Sequence, residues 1–356
     1  MAGWECALEN VEVKMRILLT GHNGYIGTVM ASMLLSAGHE VVGLDTNFFE
    51  DCVLGPAELQ IQEIKKDIRD ISLQDLKKFE AVIHLAALSN DPLGDLEPEL
   101  TYDINLQATI RLARLAREAG VTRFLYSSSC SIYGAGNADD LLNEEAPLRP
   151  ITPYAESKVR AEEELRKLAD GHFSPTFLRN ATAYGFSPRL RGDIVLNNLT
   201  AWAHTTKKIF IMSDGTPWRP IVHVDDISQA FILCLTAPNG IIHNQAINIG
   251  SNLENYQVRE LAEIVKETVP NATVEYAGKT IPDPRNYRVD FTKLTHLLPE
   301  FKPQWNARLG AQQLYRAYQD HNLTLEDFQG RKYIRLNQLR HLLSTNCLDG
   351  QLRWKA

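Results

Sequence analysis

Disulfide-forming patterns are missing from this 356-residue chain. Its five cysteines (Cys6, Cys52, Cys130, Cys234 and Cys347) are scattered, odd in number and without C-x-x-C spacing. That argues against a disulfide framework or a zinc site and favours a reducing compartment. An excess of positive charge is missing too. Lys and Arg number 37 against 44 Asp and Glu, for a net charge of −7, so nothing suggests a nucleic-acid partner. No apolar run approaches the ~20 residues of a membrane helix, and no internal repeat or low-complexity run is visible. The first 14 residues, MAGWECALENVEVK, lack the apolar centre of a signal peptide. They read as a disordered leader with Met15 as a natural start, and the expected location is the cytoplasm. A hydrophobic share of 44% and a charged share of 23% suit a globular chain with one large α/β domain and a smaller lobe.

What is present begins at Met15. Residues 16–19 form a short apolar run suited to a buried parallel strand, and TGHNGYIG follows at Thr20–Gly27. Residues 28–37 have helical periodicity, and a second apolar strand over 40–44 ends at Asp45. Strand, glycine turn, helix, strand and acid form one functional unit. Gly21 permits the tight turn, Gly24 lets the backbone approach a pyrophosphate, and Gly27 lets the helix pack on the strand. The helix N-terminus offers N–H groups to phosphates, with Asn23, Tyr25 and Ile26 completing the candidate cradle. Asp45 is placed to accept hydrogen bonds from both ribose hydroxyls. It would repel a 2′-phosphate, so NAD is favoured over NADP.

Strands and helices then alternate. Residues 61–65 read as a strand before Asp67 and Ile68, and 81–85 as a buried strand that leads through Leu85 to Ala86 and Ala87. Small residues at a strand's carboxyl end leave room for a cofactor. His84 reads as a packed strand residue. A helix is expected over 100–119, ended by Gly120, with Asn105 as a polar residue at an inner turn. A strand over 121–127 runs into Ser127-Ser128-Ser129-Cys130-Ser131-Ile132-Tyr133-Gly134, a helix over 154–168 opens with Tyr154-Ala155-Glu156-Ser157-Lys158, and 176–179 is a sixth strand. The expected fold is a Rossmann-type doubly wound parallel sheet with a smaller C-terminal substrate-binding lobe.

The domains are drawn at 15–180 for NAD binding and 181–320 for the lobe, some of whose elements return to the main sheet. The lobe is read as helices over 194–204, 225–235 and 258–269, strands at 208–212 and within 241–249, and a polar stretch at 283–293. From about 310 the chain reads as helical to its end. The extension at 321–356 has no functional reading beyond a docked helical element or dimer contact.

Tyr154 and Lys158, four apart on a helix, share one face. A phenol titrates near ~10, and bringing it to near neutrality takes about 4 kcal/mol, within reach of two close cations in a poorly solvated cleft. Tyr154 is then a base or acid for a substrate hydroxyl. Ser129, at a strand's carboxyl end, can share the same oxygen. The order and spacing of T-G-x-x-G-x-x-G, Asp45, Asp67, L-A-A, Asn105, S-S-S-x-x-x-Y-G and Y-x-x-x-K resemble the extended short-chain dehydrogenase/reductases. Within these the chain is most similar to the NAD-dependent nucleotide-sugar epimerase/dehydratase family, UDP-glucose 4-epimerases in particular, over residues 15–320.

That resemblance implies adenine contacts at Asp67 and Ile68, a bracing role for Asn105, and a homodimer through the helices at 100–119 and 154–168. The blocks Trp218-Arg219-Pro220-Ile221-Val222-His223-Val224-Asp225-Asp226 and Asp283-Pro284-Arg285-Asn286-Tyr287-Arg288-Val289-Asp290 resemble the family's nucleotide-sugar segments. They imply diphosphate contacts at Arg219 and Arg285, since a guanidinium makes bidentate bonds to phosphate. Asn180, Arg191, Asn198 and Tyr184 are further substrate candidates. No metal is expected.

Sugar 4,6-dehydratases of the family carry an acid directly after the catalytic hydroxyl residue. Here Ser129 is followed by Cys130 and Ser131, and Cys130 reads as a packed small residue. Epimerisation needs only Ser129, Tyr154, Lys158 and NAD. A sugar hydroxyl, expected at C4, is oxidised transiently to a ketone, and hydride returns to the other face. Two alternatives remain open. A nucleotide 4-keto-sugar reductase would use the same residues, although Asp45 disfavours the NADPH such enzymes usually prefer. A non-catalytic dinucleotide sensor would have little use for the Tyr/Lys pair.

Overall fold

Seven strands build the main sheet: β1 (Arg16–Thr20), β2 (Glu40–Asp45), β3 (Gln62–Lys65), β4 (Ala81–His84), β5 (Arg123–Ser129), β6 (Ser174–Asn180) and β7 (Ala246–Ile249). Their spatial order is β7-β6-β5-β4-β1-β2-β3, and every pairing is parallel. Residues 14–56, 60–89, 97–134, 140–276 and 286–355 are described in this computed structural model. The strand order reverses between β1 and β4. In an open α/β sheet, a crevice forms at the carboxyl ends of the strands at such a point.

Helices cover both faces, which is why the central strands β4 and β6 are buried at every position rather than at alternate ones. Successive side chains of β1 point to opposite cores. Ile17 and Leu19 pack with α1 (Tyr25–Ser36) and α5 (Val224–Thr236). Leu18 packs with α2 (Ala108–Glu118) and α3 (Pro153–Arg166). A third core lies in the smaller lobe, among α4 (Val195–Thr206), α6 (Val258–Thr268) and α7 (Ala307–Asp320). The lobe also carries a strand triplet in which Trp218–His223 lies between Thr182–Tyr184 and Asn255–Gln257. Part of the later chain, β7, lies in the main sheet beside β6.

Two expectations are corrected in detail. The helix expected over 100–119 starts at Pro98 and contains a π-helical stretch, Tyr102–Gln107, before α2. The wider turn holds Asn105, and such bulges often mark functional positions. The chain is not helical from 310 to its end. After Leu325–Gln329 and α8 (Arg335–Ser344) it closes in a turn with a bridge between Leu348 and Trp354. The leader falls outside the described residues except for Lys14, and Arg285 falls outside them altogether. Among the described residues no helix is long and apolar enough to cross a membrane.

Candidate active site

A cavity of about 880 Å³ opens at the carboxyl ends of the strands, within the range of small-molecule sites. One side is the glycine loop: Gly21, Gly24, Tyr25, Ile26 and Gly27 all line it. Gly21 has φ +74°, a left-handed conformation, and a Cβ there would meet Ala86 N at 2.8 Å. The loop after β4 therefore sits directly against the turn. Gly24 is the N-cap of α1, with no side-chain cap and no acid in the first turn. The helix end facing the cavity is left to an anion, as the dinucleotide reading requires.

Asp45 lines the same cavity at the end of β2. Its Oδ2 accepts from Asn23 N at 3.1 Å and its Oδ1 from Asn47 N at 2.9 Å. Burial raises its pKa, opposed by those two amides and by His22. Asn23 is absent from the lining. It donates to Asn47 at 3.0 Å and accepts from Arg189 at 2.8 Å, so its side chain braces the loop instead of lining the cavity. Asp67 and Ile68 line the cavity. The Asp67 carboxylate caps the short Ile68–Asp70 turn and pairs with Arg69 at 2.8 Å.

Leu85, Ala86 and Ala87 form the floor after β4. Asn105 is buried and outside the lining; it grips the backbone of Leu88. His84 is a buried core residue, bonded to Thr20 at 2.6 Å and Thr109 at 2.8 Å, and burial pulls its pKa to about 3. Cys130 is buried with its thiol on Arg179 O, and burial raises its pKa. Both agree with their reading as packed residues.

Ser127, Ser129, Tyr154 and Lys158 come together on the other side of the crevice. Thr152 caps α3, accepting from Ala155 N at 3.2 Å, which starts the helix with Tyr154 in its first turn and Lys158 one turn on. Ser129 Oγ accepts from Ser131 N at 3.2 Å; its own O–H stays available to a ligand oxygen. Lys158 is 4% exposed, and its Nζ donates to Ser127 O at 2.7 Å. The ammonium lies 4.7 Å from the Tyr126 ring centroid and 5.7 Å from that of Tyr154. Burial lowers its pKa to about 7. The helix is fastened behind the site by the buried Arg179–Glu162 pair at 2.8 Å, with Ser128 Oγ donating to Glu162 at 2.6 Å.

Asn180, Arg191, Asn198 and Arg219 also line the cavity. Asn180 Nδ2 donates to Ser127 Oγ at 3.0 Å, whereas its buried Oδ1 has no protein partner among the described residues. Arg191 is held by Asp193 at 2.8 Å and Asn198 by Gly192 O at 2.8 Å. Arg219 is buried and donates to Trp218 O at 2.7 Å. Tyr184, expected as a substrate contact, is a core residue. It is fully buried away from the cavity lining, edge-on to His223 at 5.2 Å. The sequence reading missed Phe48, Phe49 and Arg335 in the lining. The two aromatics follow Asp45 closely enough to have been suspected; Arg335 carried no signal.

A parallel sheet reversing at a glycine turn, an acid after the second strand, and a Tyr-x-x-x-Lys face opposite define a dinucleotide-dependent enzyme of the short-chain dehydrogenase/reductase type. The NAD dependent epimerase/dehydratase family model matches residues 17–250, and the chain belongs to that family. It is 33% identical over 307 residues to a UDP-glucose 4-epimerase of Mycolicibacterium smegmatis, covering 80% of this chain and 92% of that protein. Among solved structures, MoeE5 in complex with UDP-glucuronic acid and NAD superposes with a TM-score of 0.75 at 27% identity, covering 86% of this chain and 99% of that one. TunA, an NAD-dependent NDP-hexosamine 5,6-dehydratase of tunicamycin biosynthesis, gives 0.76 at 25% identity, covering 86% and 98%. The cofactor is NAD, and the uncapped α1 terminus and Asp45 fit it.

Proposed function

We propose that this protein is an NAD-dependent nucleotide-sugar epimerase acting at a secondary carbinol of the sugar, C4, with Ser129, Tyr154 and Lys158 as its catalytic residues. The carrying observation is that these three side chains share one cavity with the glycine loop, while the positions after Ser129 hold a buried thiol and Ser131 instead of a carboxylate. When bound, NAD supplies reversible hydride acceptance. Tyr154 removes and later restores the proton of the sugar hydroxyl, and Ser129 donates a hydrogen bond to the same oxygen. Lys158 titrates near neutrality, so a phenolate forming beside it favours the ammonium, and that charge stabilises the phenolate in return. Arg219 and Arg191 are suited to the diphosphate, and the open Oδ1 of Asn180 to a sugar hydroxyl. The UDP-sugar 4-epimerase relative supports a nucleoside-diphosphate hexose as substrate.

The test starts from protein purified without added cofactor. Denaturing it should release near-stoichiometric NAD(H), and the native protein should interconvert a UDP-hexose with its C4 epimer, read by NMR of the sugar protons. An empty site that consumes added reduced cofactor with a 4-keto sugar would identify a reductase and refute the epimerase reading. NAD binding without turnover of any sugar would refute it in favour of a sensor. We also propose a cytoplasmic homodimer formed through the helical stretches ending in α2 and α3, as the family resemblance implies. A monomeric mass by light scattering would refute that assembly.

A further inference from the structure

The C-terminal extension lies beyond the family model, which ends at residue 250. It is built into the rim of the cavity. Leu339, Leu342, Leu348 and Leu352 are buried in the core shared with α2 and α3. From that anchor the chain runs along the rim after β2 and β3. Gln338 Nε2 donates to Phe48 O at 3.1 Å, Arg353 pairs with Asp67 at 3.3 Å, and Trp354 Nε1 donates to Thr46 O at 2.7 Å. Thr46, Phe48 and Asp67 are themselves cavity residues.

One extension residue reaches the cavity wall. Arg335, at the start of α8, lines the cavity and is 3% exposed. Its guanidinium stacks 4.4 Å from the Phe49 ring centroid, and Nη2 donates to Arg189 O at 2.7 Å. Nη1 is buried and has no partner among the described residues. An unmatched charged donor in the interior is costly. Its surroundings compound the cost, because Arg189 and Arg191 are the cations nearby and Asp193 is already engaged by Nε and Nη2 of Arg191, at 2.8 and 3.1 Å. Burial and the two neighbouring arginines pull the Arg335 pKa down to about 10. Arg189 also donates to Asn23 of the glycine loop at 2.8 Å, so this cation-rich cluster adjoins the loop that opens α1, a setting that suits a diphosphate.

We propose that the C-terminal extension is a structural part of the NAD site and that Arg335 completes its unpaired donor on the cofactor's diphosphate. The guanidinium is matched to phosphate oxygens by charge and by its planar fork, and the extension closes the rim after Asp45 around it. This rests on NAD as the cofactor and is independent of which sugar is turned over.

Calorimetric titration of cofactor-stripped protein with NAD, ADP-ribose, adenosine and UDP tests it, with thermal melts as the control for folding. Arg335→Met should weaken NAD and ADP-ribose at least tenfold, leave adenosine and UDP unchanged, and lose most of the melting shift that NAD produces. Arg335→Lys, which keeps the charge but not the fork, should fall between. Unchanged NAD affinity in a folded Met variant overturns the proposal. So does an equal loss for adenosine, which would mean a change of shape, or a selective loss of UDP, which would put Arg335 on the substrate diphosphate. Should the Met variant not fold, the Lys variant decides: several-fold weaker NAD binding supports the proposal, and wild-type affinity overturns it. Wild-type protein that binds NAD but turns over no sugar would refute the epimerase reading and leave these outcomes unaffected.

Discussion

Asn105 holds Leu88 by both of its backbone groups, accepting from Leu88 N at 2.8 Å and donating to Leu88 O at 3.1 Å. The side chain that does this sits in a π-helical stretch, so a widened turn in one element sets the path of the loop that floors the cavity. Asn105→Ala removes both partners at once, in a buried place where each unmade bond costs about 1–3 kcal/mol. The expected result is a loss of roughly 2–4 kcal/mol in denaturant unfolding together with weaker NAD binding. Unchanged stability and affinity would show that the brace is dispensable.

Tyr154→Phe keeps the ring and removes the proton-transfer group. NAD affinity should be unchanged and turnover should fall by at least about 10²-fold, the usual contribution of general acid–base catalysis. Direct titration and initial rates separate the two. A variant with a near-normal rate would refute the proposed role of the phenol.

Lys158 ties pH to stability. Its folded pKa of about 7 lies below the ~10.4 of a free lysine. Between those values the unfolded chain binds more protons, so the Lys158 contribution to stability rises with pH by at most about 1.4 kcal/mol per pH unit. Below the folded value the cost of burying the ammonium is fully present. Unfolding of wild type and Lys158→Met from pH 7 to 10 should therefore show the difference moving in favour of wild type as pH rises. A difference independent of pH would contradict the shift.

Gly27 and Gly24 should fail in different ways. A Cβ on Gly27 would overlap Gly21 O and lie 2.7 Å from His22 Cα, both backbone atoms. Gly27→Ala is expected to cost about 3 kcal/mol, the upper end for overpacking. A Cβ on Gly24 meets only Gly21 O, at 3.1 Å, and Gly24 lines the cavity. Gly24→Ala should fold with a small loss and bind NAD poorly. Thermal melts beside NAD titrations distinguish the two.

Most strands of the main sheet were legible because they carry a short apolar run, a signal held by the residues themselves; β3, with Ile64 as its one apolar residue, is the exception. The Tyr154/Lys158 pair was legible because four residues on a helix fix a shared face. Positions that depend on distant packing were not. Nothing local separates Tyr184, buried in the lobe core, from a tyrosine facing a ligand. Asn23 sits in the glycine loop, yet its side chain turns to Asn47 and Arg189, the latter 166 residues away. The π-helical stretch leaves no mark in a pattern read at 3.6 residues per turn. Arg335 follows almost the whole chain, and only the docking of the leucines around it brings it to the cavity.

The lobe also constrains how the molecule can move. The chain leaves the main sheet at the end of β6, comes back onto β7 and leaves again from its end. Both departures lie on neighbouring strands about 4.8 Å apart. Two further ties lie elsewhere: Tyr25 Oη donates to Gly185 O at 2.7 Å beside the glycine loop, and the C-terminal leucines are buried in the core shared with α2 and α3. A lobe fastened on both sides of the crevice is not a leaf free to swing about one edge of the sheet.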